Sequence, residues 1–156
     1  MDGADINVLD EDGNTALMLA VKNYNTEVVT MLLKNGADVN AANNQGSTAL
    51  MLTAQGLYHA EEATALLKYG ADVNVADNEG STALMYAARK GHTEVATILL
   101  KNGADVNVAD NQGYTAQMSA AQSGDSAGAT IVLKDGAEVN VATNQGATAI
   151  MRAAPG

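Results

Sequence analysis

The chain has 156 residues, a formal charge of −10 and no cysteine, tryptophan or phenylalanine. Nucleic acid and anionic lipid both call for clustered Lys and Arg, so neither is an expected partner. Without cysteine, disulfides and thiolate metal sites are excluded. The apolar residues are chiefly Ala, Val, Leu and Met, a set suited to helices that approach closely along a thin stack. The first residues, Met1-Asp2-Gly3-Ala4-Asp5, contain neither a basic stretch nor an apolar core. No signal peptide is therefore visible, no apolar run reaches bilayer length, and the expected compartment is the cytoplasm.

Two markers recur in constant phase. Gly-Ala-Asp-Val-Asn stands at 36–40, 70–74 and 103–107, with variants at 3–7 and 136–140, so the glycines are spaced by 33, 34, 33 and 33 residues. Between them a Gly-x-Thr-Ala marker falls at Gly13, Gly46, Gly80, Gly113 and Gly146. Such a pattern means one supersecondary unit stacked on copies of itself.

In chain order, residues 1–10 form a partial finger with no helix pair before it. Full units are expected at 11–43, 44–77, 78–110 and 111–143, with a truncated one at 144–156, all within a single domain over 1–156. The second unit carries one extra residue near Gly56-Leu57-Tyr58, at the bend between its helices. Its Glu62 falls where the third unit has Val95. Either its helix rotates to expose this carboxylate, or the stem covers core while the charge reaches water. In the third unit, Asn78-Glu79-Gly80 reads as a turn and Thr82 as the N-cap of a helix over Ala83–Lys90. Gly91 is its left-handed terminator. His92 and Thr93 open a second helix bearing Val95, Ala96, Ile98, Leu99 and Leu100, with Lys101 complementing the dipole in the last turn. Asn102-Gly103 breaks that helix, and Ala104–Ala109 is expected to run extended. The fourth unit has Gln117 for Leu84 and Gly128 for Val95, a joint cost of about 2–4 kcal/mol confined to it and its neighbours. It is expected to be the most mobile unit, and the third the firmest. Ile150 and Met151 lack a following helix to cover them, so the expectation is a segment of a longer array or self-association through uncapped terminal repeats.

The third unit's Gly80-Ser-Thr-Ala-Leu-Met85, Ala87-Ala-Arg-Lys-Gly-His-Thr-Glu-Val95 and Leu99-Leu-Lys-Asn-Gly-Ala-Asp-Val-Asn107 together resemble the ankyrin repeat. The likeness extends over essentially the whole chain. It implies an all-α repeat solenoid of helix-turn-helix units joined by β-hairpin fingers. The family's Thr-Pro-Leu-His becomes Thr-Ala-Leu-Met here. Ala16, Ala49, Ala83, Ala116 and Ala149 replace its proline, and Met18, Met51, Met85, Met118 and Met151 replace its histidine. The histidine's bond to threonine is thereby lost, and an adaptable thioether fills the space. The methionine row reads as packing, not as a metal site.

Catalytic chemistry is hard to assemble. His59 and His92 occupy equivalent places, which the resemblance assigns to capping the bend. Thr93 and Glu94 beside His92 cannot form a nucleophile–base set, because neighbours on a helix point apart. Asp5, Asp38, Asp72 and Asp105 recur one per unit and read as turn supports. Asp10-Glu11-Asp12 matches no calcium-loop spacing, and no phosphate-cradling glycine motif is present. The chain is therefore read as a non-enzyme with no cofactor and no metal.

The resemblance implies that finger tips and first helices form a concave surface for a protein partner. Carried over by position, the tips are Glu11, Asp12, Asn44, Gln45, Asn78, Glu79, Asn111 and Gln112, followed by Asn14, Ser47, Ser81 and Tyr114. The inner helical row is Leu19, Leu52, Tyr86, Ser119 and Arg152, and the helix ends add Lys22, Gln55, Arg89, Lys90 and Gln122. Aromatic and Arg side chains dominate interfaces once desolvated, which singles out Tyr86, Arg89 and Tyr114. The near-identical tips argue against tuning to one partner and suit the alternative of a structural spacer or self-assembling array. A second alternative is a protein inhibitor or antitoxin whose acidic surface mimics a polyanion. Asn40, Asn74 and Asn107, each with a Leu eight residues earlier, resemble sites hydroxylated in ankyrin repeats.

Overall fold

The computed structural model describes residues 4–56, 59–124 and 126–134. Among these residues, eight helices follow one another: α1 Ala16–Lys22, α2 Thr26–Lys34, α3 Ala49–Gln55, α4 Ala60–Lys68, α5 Ala83–Lys90, α6 Thr93–Lys101, α7 Ala116–Ser123 and α8 Ser126–Lys134. The third-unit helices fall where the sequence pattern puts them. Each first helix starts after a threonine in extended conformation, and the hydroxyls of Thr15, Thr48, Thr82 and Thr115 accept the N–H of the methionine three residues on. Such a cap stabilises a helix start by about 1 kcal/mol. With it in place, alanine can begin the helix where proline would have preset φ.

The helices build two layers. In the inner one, α1, α3, α5 and α7 stand side by side; in the outer one, α2, α4, α6 and α8 do the same, and each first helix packs on its own second helix. The core runs the length of the stack between the layers. Leu17, Leu50 and Leu84 fill it from one side with Met18, Met51, Met85 and Met118, while Val29, Leu66, Leu99 and Val132 close it from the other. Each such side chain contributes about 1.5–3 kcal/mol by leaving water. Ala54, Ala87, Ala88 and Ala120 are fully buried where inner helices meet, so the small residues set the spacing of that layer.

Two expectations are revised. First, the fingers form no strand among the described residues: one isolated bridge joins Ala42 to Thr48, and Val73-Asn74 and Val106-Asn107 turn where an extended run was expected. Second, Glu62 neither rotates outward nor reaches water. It is 3% exposed, and its carboxylate accepts the Thr26 hydroxyl of the preceding unit at 2.5 Å. Gly91 terminates α5 as expected, but the bends of the units are not alike. α5 and α7 end on left-handed Gly91 and Gly124, Tyr24 takes that conformation at φ 56° in the first unit, and Gly56 in the second is extended.

The fourth unit keeps both helices, with Gly128 buried in α8. Its substitutions leave polar atoms stranded: Gln117 Oε1 and Ser119 Oγ are buried without a hydrogen-bond partner. Leu57, Tyr58, Ile150, Met151, Arg152 and the whole unit 144–156 lie outside the described residues.

Candidate partner-binding face

Each described finger is built on one carboxylate or amide. Asp10, Asn43, Asp77 and Asp110 each use Oδ1 to accept two backbone N–H groups, from the residues two and four positions on, at 2.8–3.0 Å. The same residue's N–H donates to the carbonyl four positions on, closing the finger, as in Asp77 to Ser81 at 3.0 Å. Backbone hydrogen bonding is the main reason that Asp10 is held below the usual carboxylate range.

The tips are then tied to one another. The N–H of Asn44, Asn78 and Asn111 donates to the carbonyl of Asp12, Gln45 and Glu79 in the preceding finger at 2.9–3.0 Å. Their side-chain amides add bonds to Glu11, Asn44 and Asn78 carbonyls at 2.9–3.1 Å. The turn glycine must be glycine for two reasons, shown by Gly80: its φ is +80°, and a Cβ there would lie 2.6 Å from Asn111 Oδ1. A second ladder runs at the finger base. Asn40 Oδ1 accepts the N–H of Asp72 at 2.8 Å while its amide donates to Gly70, and Asn74 repeats this with Asp105 and Gly103. The uniformity of these asparagines thus follows from stacking. Asn40 and Asn74, two of the three hydroxylation candidates, have their amides engaged in this ladder. Asp5, Asp38, Asp72 and Asp105 each accept the N–H two residues on, supporting their own turns.

Between finger tips and first-helix ends lie two adjoining grooves. One, of about 600 Å³, is lined by Glu79, Arg89, Asn111, Gln112, Tyr114 and Gln122. The other, of about 550 Å³, is lined by Lys22, Asn44, Gln45, Leu52, Asn78 and Tyr86, and shares Glu79 with the first. Most of the expected partner-contacting residues are therefore brought together. Leu19 is exposed and Lys90 is exposed, but neither lines a groove. The side chains of Gln45, Glu79 and Gln112 make no hydrogen bond among the described residues.

Tyr86 and Arg89 form the centre of this face. The Tyr86 hydroxyl donates to Asp77 Oδ2, and the Arg89 guanidinium lies 5.6 Å from the ring centroid. Burial, then the bond to Asp77, push the Tyr86 hydroxyl up to about 12. Tyr114 lines the first groove but is only 8% exposed, because closure of its finger turns it inward onto Met118. Asn14, Ser47 and Ser81 are buried for the same reason. Asn43, Asp77, Asp110 and Ser123 line the grooves without having been singled out. The recurring Asp or Asn three residues before each tip glycine is the signal that points to the first three of these.

The histidines are structural but not as caps: neither makes a side-chain cap bond. His92 Nδ1 lies 3.0 Å from the Ala54 carbonyl, joining the third unit to the second. His59 is 2% exposed. Burial holds its pKa below the usual histidine value, with Glu62 opposing the shift. No group of three or more His, Asp or Glu among the described residues could hold a metal ion, and none of their helices is long and apolar enough to cross a membrane.

Paired short helices in two layers, laddered by asparagine amides and grooved along one flank, define a helical repeat solenoid. The chain belongs to the ankyrin repeat family, whose model of ankyrin repeats in three copies matches residues 1–77 and 54–143. Ankyrin repeats are, as a class, protein-interaction modules and typically non-enzymatic. No match to a curated protein was found.

Proposed function

We propose that the protein binds another protein through the concave flank formed by the two adjoining grooves. The observation that carries this reading is the Tyr86–Arg89 pair. An aromatic ring pinned by Asp77 and covered by a guanidinium loses little conformational entropy on binding, and such side chains supply most interface energy when desolvated. Around this centre, Gln45, Glu79 and Gln112 on the tips, Lys22 on α1, and Leu52 on α3 offer amide, charged and apolar contacts in one continuous strip. The tip asparagines Asn44, Asn78 and Asn111 hold that strip in register and contribute shape. No catalytic residue is assigned.

Affinity capture with the wild type and with an Arg89→Ala, Gln45→Ala double variant tests the assignment, once circular dichroism shows both folded alike. A partner retained by the wild type is expected to bind the variant at least tenfold more weakly, about 1.4 kcal/mol. Equal retention would place the interface elsewhere on the solenoid. Light scattering over a dilution series separates this reading from a self-assembling array, which would gain mass with concentration.

A further inference from the structure

Between the first and second units lies a buried polar cluster that neither the ladders nor the grooves use. His59 and Glu62 are 2% and 3% exposed. One Glu62 oxygen accepts the Thr26 hydroxyl; the other stands 3.7 Å from His59 Nδ1, and neither of these last two atoms has a hydrogen-bond partner. The imidazole lies flat on the Tyr24 ring, with centroids 4.4 Å apart and planes inclined by 13°. Tyr24 itself, at φ 56°, is the one non-glycine residue with a left-handed backbone among those described. Gly56 packs close to the ring: a Cβ there would come within 2.2 Å of the imidazole and push it aside. The ring is thus held between the bend of its own unit and a strained residue of the preceding one.

We propose that this cluster is a proton-operated latch: as solution becomes mildly acidic, His59 takes up a proton and the first unit loosens from the second. The groups bearing on His59 are few. Glu62, on the same helix, favours the cation; His92, before α6, opposes it; Tyr24 and Thr26 are neutral. Glu62 already serves the Thr26 hydroxyl, and loss of water around the ring outweighs its attraction, so the closed state prefers neutral imidazole. An opened His59 is hydrated and titrates near the ordinary value of about 6.5. Opening therefore draws in a proton, and the stability of the closed state falls as pH drops below about 6.5. Asp10, just before the first unit, is held below its ordinary range and titrates outside this window. A repeat contacts only its neighbours, so the first unit can open by itself, relieving Tyr24 and withdrawing Lys22 from its groove.

Two measurements on the full chain test the latch. In hydrogen exchange corrected for intrinsic rates, amides of α1 and α2 are expected to open about 3–10-fold more at pH 5.5 than at pH 7.5, within the tenfold per pH unit that one proton allows. Those of α5 and α6 should change less than twofold, and His59→Gln should abolish the difference. In an NMR titration, the His59 ring of the wild type should have its midpoint below 6.5, and Glu62→Gln should lower it further by removing the favourable charge. A wild-type midpoint at or above 6.5, a rise in Glu62→Gln, or equal acid response of the two helix pairs would each overturn the proposal. If His59→Gln fails to fold, the titrations of the wild type and Glu62→Gln still decide.

Discussion

At the scale of the residue, asparagine and tyrosine carry more of this molecule than their exposure suggests. Asn74 is exposed, yet its amide accepts from Asp105 at 2.7 Å and donates to Gly103 at 3.1 Å, tying the second unit to the third. Asn74→Ala should cost about 1–2 kcal/mol in urea unfolding, two net hydrogen bonds' worth, while leaving the helical content of the folded state unchanged. Gly80→Ala should cost more than about 1 kcal/mol, because alanine resists φ +80° and its methyl would displace Asn111. Tyr86 gives a prediction at the alkaline end. Its hydroxyl ionises at about 12 in the folded chain and near 10 when unfolded, so the neutral form's contribution is present below pH 10 and lost as pH rises through 12. Between pH 9 and pH 11, the wild type should lose about 1 kcal/mol more stability than Tyr86→Phe, read by urea titration at each pH.

At the scale of the element, what distinguishes one unit from another is how its departures from the repeat are accommodated. Glu62 occupies a core position and is rescued by a hydroxyl from the next element, Thr26 at the start of α2. Gln117 in α7 has no such rescue, and its Oε1 is buried without a partner. Gln117→Leu restores the residue of the third unit and removes a stranded acceptor. It should stabilise the protein by about 1–2 kcal/mol, visible as a higher midpoint of thermal or urea unfolding. A null or opposite result would mean that α7 has no room for the branched side chain.

At the scale of the whole molecule, stability is distributed along the stack rather than around one centre. Leu84 is buried in α5, between α3 and α7. Leu84→Ala should cost about 2–5 kcal/mol and separate the unfolding of the first two units from that of the fourth. At pH 7.5, the difference in hydrogen exchange between α1 and α8 should then be larger than in the wild type, and an unchanged difference would argue for tighter coupling between units.

The amino-acid sequence by itself determined the repeat length, the helix boundaries of the third unit, the threonine caps and the packing role of the methionines. Each rests on neighbours within about four residues or on a period that any copy displays, so no distant contact is needed to read it. Most residues lining the two grooves were named from the resemblance to ankyrin repeats, because position within a repeat fixes which side of the stack a residue occupies. Only the tertiary structure decided the rest. That the tip asparagines clamp adjacent fingers, that Tyr114 turns inward, that Asp77 pins Tyr86 and that Glu62 meets Thr26 are facts about which side chains meet once the chain has folded. Hydrogen bonds between residues some thirty positions apart, such as Thr26–Glu62 and Asn40–Asp72, form only when helix layers have set the distance between units, and sequence separation carries no record of that distance.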